Sequence, residues 1–161
     1  MKKILLLLPL ALALPGAAPA QSAADSAAIR RAALDYFEAW YAGDGAQMAR
    51  AVHPQLAKRI VRPDPRTGRS AVHEMSADQL VSGAHGGAGL DTPPEKQRKD
   101  VRILDVYENT ASVRADADGW IDYMHLARVD GQWRILNVLW EMRPGHAQQP
   151  ARRARPSGGE R

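Results

Sequence analysis

Cysteine is absent from the 161-residue chain. No disulfide can staple it, and no thiolate can act as nucleophile or metal ligand, so the fold must rest on an apolar core. The five histidines offer no pair at metal-ligand spacing, and no metal is expected. A G-x-S-x-G elbow and a P-loop are both missing. The Gly-rich "GAHGGAG" does not open a helix after a strand, so phosphate cradling is unsupported and no cofactor is expected. Apolar runs are short. None reaches the roughly 20 residues of a transmembrane helix.

A basic domain is missing too, despite a formal net charge of +4. Lys2 and Lys3 stand at the N-terminus, and Arg152, Arg153, Arg155 and Arg161 stand in the last stretch. Between them, residues 21–143 hold 16 Lys/Arg against 17 Asp/Glu, a net of −1. A nucleic-acid binder carries its basic patch on the folded domain. With no helix-turn-helix or RNA-binding signature either, a nucleic-acid partner is not expected.

Three segments are present. Lys2-Lys3, the apolar Ile4 to Leu14 and the small-x-small Ala18-Pro19-Ala20 have the form of a cleaved signal peptide over 1–20. The reading is a periplasmic or secreted protein with no membrane attachment after cleavage. Residues 21–143 are long enough to bury one substantial core. Residues 144–161, rich in Pro, Gly, Ala, Gln and Arg, read as a disordered basic tail.

Within the domain, Ile29, Ala33, Tyr36, Phe37 and Trp40 recur at helical spacing from about Ser26 to Ala42. Gly43 suits a C-terminal cap. Asp44 and Gln47 have capping-box spacing for a second, short helix that stops at His53-Pro54. A short strand is expected from Lys58 to Asp64, followed by a Pro/Gly turn, with Arg59 and Arg62 as solvated charges. Ser76 and Gln79 cap a helix near 77–84. "SGAHGGAGLDTPPEKQ" then reads as a mobile loop able to close over a site. The remainder reads as a strand meander, with turns at Asn109-Thr110 and Asp130-Gly131.

The last hairpin, "WIDYMHLARVDGQWRILNVLW", carries the functional signal. An uninterrupted register from the Asp130-Gly131 turn places Asp122 opposite Leu139, Asn137 on the diagonal and Glu141 opposite Trp120. Trp120, Asp122, Met124, Asn137, Leu139 and Glu141 then share one face. Polar groups converging among Trp, Met and Leu are what a small-molecule pocket needs. Asp122 either serves such a pocket or has a structural use, pairing with an arginine or capping backbone at a sheet edge, and the residues alone leave both open. His125 falls on the opposite face. That face, with Tyr123, Val138 and Trp140, would suit a sheet-to-sheet homodimer.

"DYFEAWYAGD", "HPQLAKR" and "IDYMHLARVDGQWRILNVLW", in helices-then-meander order, resemble the NTF2-like (cystatin-like) superfamily, and more closely its lumazine-binding branch. The resemblance covers about residues 27–142. It implies an α+β cone, with N-terminal helices packed on a curved, mostly antiparallel sheet around a conical pocket, often in a homodimer. The superfamily includes ketosteroid isomerase and dehydratases as well as non-enzymatic binders. Tyr36, shortly before Gly43-Asp44, and Asp122, after Ile121, match the isomerase's two hydrogen-bond donors. The isomerase's base, a carboxylate on the first strand, has no counterpart near Ile60-Val61-Arg62.

The expectation is therefore a small-molecule binder. Tyr36 and a protonated Asp122 would be its polar donors. Trp40, His53, Trp120, Met124, Asn137, Leu139 and Glu141 would contact the ligand. His53 follows the second helix, where it edges the cavity or merely closes the helix end. Two alternatives stay open: an isomerase- or dehydratase-type enzyme using Tyr36 and Asp122 with His53 as base, and a dimeric interaction module with a vestigial cavity.

Overall fold

A computed structural model describes residues 22–146. The expected signal peptide, and the expected tail from residue 147 onward, lie outside the described residues. The order is α1 (Ala23–Ala42), α2 (Gly45–Ala51), β1 (Val52–Pro63), β2 (Ser70–Ser76), α3 (Ala77–His85), β3 (Asp100–Tyr107), β4 (Thr110–Asp116), β5 (Trp120–Val129) and β6 (Gln132–Met142). The six strands form one sheet in the order β2-β1-β6-β5-β4-β3. Only β1 and β6 pair in parallel. The expected α+β architecture is present, with three helices covering one face of a mostly antiparallel sheet.

Local chemistry accounts for most boundaries. The Ser22 hydroxyl accepts the Asp25 N–H at 2.9 Å and starts α1. Gly43, at φ 70°, ends it in the left-handed conformation that glycine adopts most readily. Asp44 accepts the Gln47 N–H at 2.8 Å and starts α2, but the Gln47 side chain turns to Asp35 instead of completing a capping box. The box is complete at α3, where Ser76 and Gln79 satisfy each other's backbone N–H groups. Asp130 (φ 50°) and Gly131 (φ 77°) supply the two positive φ values of a tight hairpin turn.

Three strand expectations shift. β1 begins at Val52 rather than Lys58. The β3–β4 turn falls on Glu108-Asn109, with Glu108 at φ 50°, and Thr110 belongs to β4. The unexpected β2 is an edge strand, largely exposed, and so carries no apolar alternation to announce it.

The largest correction concerns the last hairpin. Val129–Gln132 to Leu126–Ile135 pair as expected, but His125 then pairs with Asn137. Leu136 is the extra residue of a β-bulge, and beyond it every β6 side chain changes face. Asp122 lies opposite Trp140, not Leu139. Val138 and Trp140 move to the helix-covered face. Asn137, Leu139 and Glu141 move to the outer one. They therefore do not join Asp122, and the outer surface is built around Tyr123 and Leu139 rather than Val138 and Trp140.

The core lies between helices and inner sheet face. Ile29, Phe37, Met48, Leu80, Met124, Leu126, Ile135 and Val138 are fully buried there. Burying side chains of this size stabilises the fold by about 1.5–3 kcal/mol each. That supplies a disulfide-free domain with its cohesion.

Candidate functional site

One end of the core opens into a cavity of about 380 Å³ between α1, α3 and the inner sheet face. Aromatic residues wall it: Tyr36, Trp40 and Tyr41 from α1, Trp120 from β5 and Trp140 from β6. The Gly-rich segment contributes Ala88, Asp91, Thr92 and Pro93 to the cavity lining. Its position is fixed by a close approach at Gly89. A Cβ there would overlap the Trp40 carbonyl oxygen.

Lys58 forms the polar floor. Alternation along β1 buries Leu56, Lys58 and Ile60 together. From β1 the lysine stem crosses β6, with Nζ 4.7 Å from the centre of the Trp140 ring. Nζ donates to Asp122 Oδ1 at 2.6 Å and to Tyr36 Oη at 2.6 Å. Trp120 Nε1 donates to the other carboxylate oxygen, Oδ2, at 2.9 Å. Asp122 is completely buried, and the Lys58 side chain is 7% exposed. No buried side-chain polar atom among the described residues lacks a partner. A buried ion pair is tolerable only when its remaining hydrogen-bonding capacity is satisfied in this way.

The electrostatics follow from this burial. Desolvation pushes the Tyr36 phenol well above its ordinary value, and the Asp122 charge adds to the push. Tyr36 is therefore held as a neutral phenol. Desolvation lowers Lys58, opposed by the attraction and hydrogen bond of Asp122. Tyr41, also desolvated and facing Asp118 and Asp122, is pushed up to about 12. Its hydroxyl donates to the Arg98 carbonyl at 3.1 Å, tying α1 to the segment before β3.

Of the residues expected at a site, Tyr36, Trp40 and Trp120 line the cavity, and Asp122 anchors its floor. The roles of the polar pair differ from expectation. Both Asp122 oxygens accept N–H groups, so the carboxyl acts as acceptor rather than as a protonated donor. Its partner is a lysine, where an arginine was the structural alternative. Met124 lies deeper on the same face, as core. His53 sits in the irregular stretch where β1 slips register against β6, with Nδ1 accepting the Gln55 N–H at 3.1 Å. It is not part of the cavity wall, so it is placed neither to contact a ligand there nor to serve as its base. Leu139 is 57% exposed on the outer face. Asn137 lines a second, outer depression near His125. Glu141 accepts the Met142 N–H.

Lys58 is the cavity residue that the sequence reading did not single out. Its signal was present: in "QLAKRIV", Leu56, Lys58 and Ile60 share one face of a strand. No cluster of three or more His, Asp or Glu side chains able to hold a metal occurs among the described residues. No helix among them is long and apolar enough to cross a membrane.

The fold recurs in solved structures. An NTF2-like protein of unknown function from Silicibacter pomeroyi superimposes with a TM-score of 0.57 at 18% identity, covering 77% of this chain and 100% of that one. An NTF2-like protein of unknown function from Shewanella baltica gives 0.57 at 16% identity, covering 78% and 99%. A protein of unknown function with a cystatin-like fold from Nostoc punctiforme gives 0.52 at 17% identity, covering 77% and 95%. No curated protein matches the chain in sequence. At these identities the structures establish the NTF2-like cone alone. The sequence itself goes one step further, for residues 24–141 match the family described as "Putative lumazine-binding", and the chain belongs to that family.

Proposed function

We propose that this is an exported small-molecule-binding protein whose cavity takes a planar, bicyclic heteroaromatic ligand of the lumazine type. One observation carries the reading: an aromatic-walled cavity of about 380 Å³ closes on a buried, hydrogen-bonded polar floor. That volume falls within the roughly 300–1,000 Å³ of small-molecule sites. Trp40, Trp120 and Trp140 offer ring faces for stacking. The Lys58 ammonium has three N–H groups and spends two on Asp122 and Tyr36. The third is available to a ring carbonyl, which fixes the orientation of a pteridine-like ligand. An isomerase-type reaction has less support, because β1 carries no Asp or Glu to serve as its base.

Titration of the mature domain with lumazine, followed by tryptophan fluorescence, tests this. Saturable quenching that weakens at least about tenfold in Trp120→Ala, a loss of about 1.4 kcal/mol, is expected. Absence of saturable binding by lumazine and by other planar bicyclic heteroaromatics would overturn the reading.

Export rests on Lys2-Lys3, the apolar run and Ala18-Pro19-Ala20. N-terminal sequencing of the protein from its host should begin near Gln21. A homodimer is proposed through the outer sheet face, where Val61, Val72, Tyr123 and Leu139 are exposed. Leu139→Arg should then convert a dimer to a monomer by light scattering, and an already monomeric wild type would refute the proposal.

A further inference from the structure

The binding reading treats Lys58 as a fixed hydrogen-bond donor. Its surroundings allow more. Nζ stands at the cavity floor, beside a buried carboxylate at 2.6 Å and a phenol at 2.6 Å, with the aromatic walls of Trp120 and Trp140 around it. An amine, a carboxylate and a neutral phenol at the floor of an aromatic-walled cavity form a set suited to carbonyl chemistry. The two other lysines among the described residues are both exposed: Lys96 stands at the cavity rim, and Lys99 pairs with the partly exposed Glu38 at 3.3 Å. We propose that Lys58 captures carbonyl compounds covalently, as an iminium, with planar aromatic aldehydes as the preferred class.

The step balances within these residues. The Lys58 ammonium passes one proton to the Asp122 carboxylate and becomes a free amine. Its lone pair attacks the aldehyde carbon, a C–N bond forms, and a nitrogen proton moves to the oxygen to give a carbinolamine. The Asp122 carboxyl returns its proton to that hydroxyl, the C–O bond breaks and water leaves. The product is a protonated imine, which keeps the positive charge opposite the restored carboxylate. Tyr36, neutral and already within hydrogen-bond reach of Nζ, can donate to the aldehyde oxygen as negative charge develops there. Burial favours the free amine, as the lowered Lys58 affinity for its proton reflects. The aromatic walls favour ring-bearing aldehydes over aliphatic ones.

The inference rests on the binding reading, so the experiment must separate the two. The full domain is incubated with benzaldehyde or 2-naphthaldehyde and sodium cyanoborohydride, which reduces an imine to a stable secondary amine. Adducts are assigned by intact mass and peptide mapping. In parallel, the matching alcohols, which cannot form an imine, are titrated by tryptophan fluorescence.

One aryl group on Lys58 is expected, appearing at least about tenfold faster than labelling of Lys96 or Lys99. Hexanal should label Lys58 no faster than it labels those two. Asp122→Asn should slow Lys58 capture while leaving labelling of Lys99 unchanged, and a near-UV circular dichroism spectrum matching wild type reports that the variant is folded. Saturable binding of the alcohols without a Lys58 adduct overturns the covalent proposal and leaves the binding reading in place. Neither adduct nor alcohol binding overturns both.

Discussion

Lys58 on β1 and Asp122 on β5 meet at 2.6 Å across the intervening strand β6, in a place where Asp122 is wholly buried. The pairing depends on which strands are neighbours. β1 joins the sheet through its parallel contact with β6, and β6 pairs with β5 on its other side. The lysine stem is long enough to span that one strand, and the Trp140 ring beneath it supplies a polarisable surface for the cation. Two segments 64 residues apart are thereby joined at the floor of a cavity walled by Trp40, Trp120 and Trp140.

The first prediction concerns the energetics of that pair. Desolvating both charges offsets much of their attraction, so the pair itself adds little net stability, whereas removing one partner strands the other. Lys58→Ala should destabilise the domain by about 3–5 kcal/mol. The double variant Lys58→Met with Asp122→Leu, which leaves no charge, should recover most of that loss. Urea denaturation measures both. A single variant within about 1 kcal/mol of wild type would show that water reaches the pair.

Trp120 is assigned two roles, one in the cavity wall and one as donor to Asp122 Oδ2. Trp120→Phe keeps a ring and removes the N–H. It should cost about 1–3 kcal/mol by leaving a buried carboxylate oxygen unpartnered. Asp122→Asn in the same background should not add its full separate effect, because the two residues share one hydrogen bond. A double-mutant cycle by thermal unfolding decides this, and strict additivity would mean that the bond contributes nothing.

Much of the fold could be read from local rules. Gly43, Ser76-Gln79 and Asp130-Gly131 each have one conformational use, and each is found in it. The site was legible only up to the Leu136 bulge. Alternation in "WRILNVLW" is consistent with an unbroken strand, because Ile135 and Leu136 are both apolar and either could face inward. Nothing local reveals that one of them lacks a partner. That is set by how β6 meets β1 and β5 together, a contact between distant segments. Lys58 was missed for a different reason. A charged residue amid apolar alternation looks solvated until its buried partner, on another strand, is known.

Gly89 gives the third prediction. Gly89→Ala places a methyl group against the Trp40 backbone carbonyl, which cannot move aside as a side-chain tip could. The segment carrying Ala88, Asp91, Thr92 and Pro93 must then lift from α1. Overpacking of this kind costs about 1–3 kcal/mol. Trp40 emission should shift to the red as its ring gains water, and affinity for any cavity ligand should fall. Wild-type emission and thermal midpoint in Gly89→Ala would mean that the segment is not seated on Trp40 in solution.

The last prediction is a pH dependence away from the cavity. Asp116 at the end of β4 accepts from Arg114 at 2.8 and 2.9 Å and from Arg143 at 2.5 Å. The Arg114 hydrogen bond, reinforced by the Arg114 and Arg143 charges, holds its carboxyl below the ordinary value of 3.8, against some desolvation. On unfolding the carboxyl returns to that ordinary value. Between the two values the unfolded chain therefore binds more protons than the folded one, and stability rises with pH. The contribution is complete above the ordinary value and is lost as pH falls through the folded one. Asp116→Asn should accordingly be less stable than wild type at neutral pH, with the gap closing below about pH 4. Stability curves of both proteins between pH 2 and 7 provide the check. A gap that stays constant across that range would show that the loss comes from packing rather than from the charge, and would release Arg143 from its role in holding the chain after β6 against the end of β4.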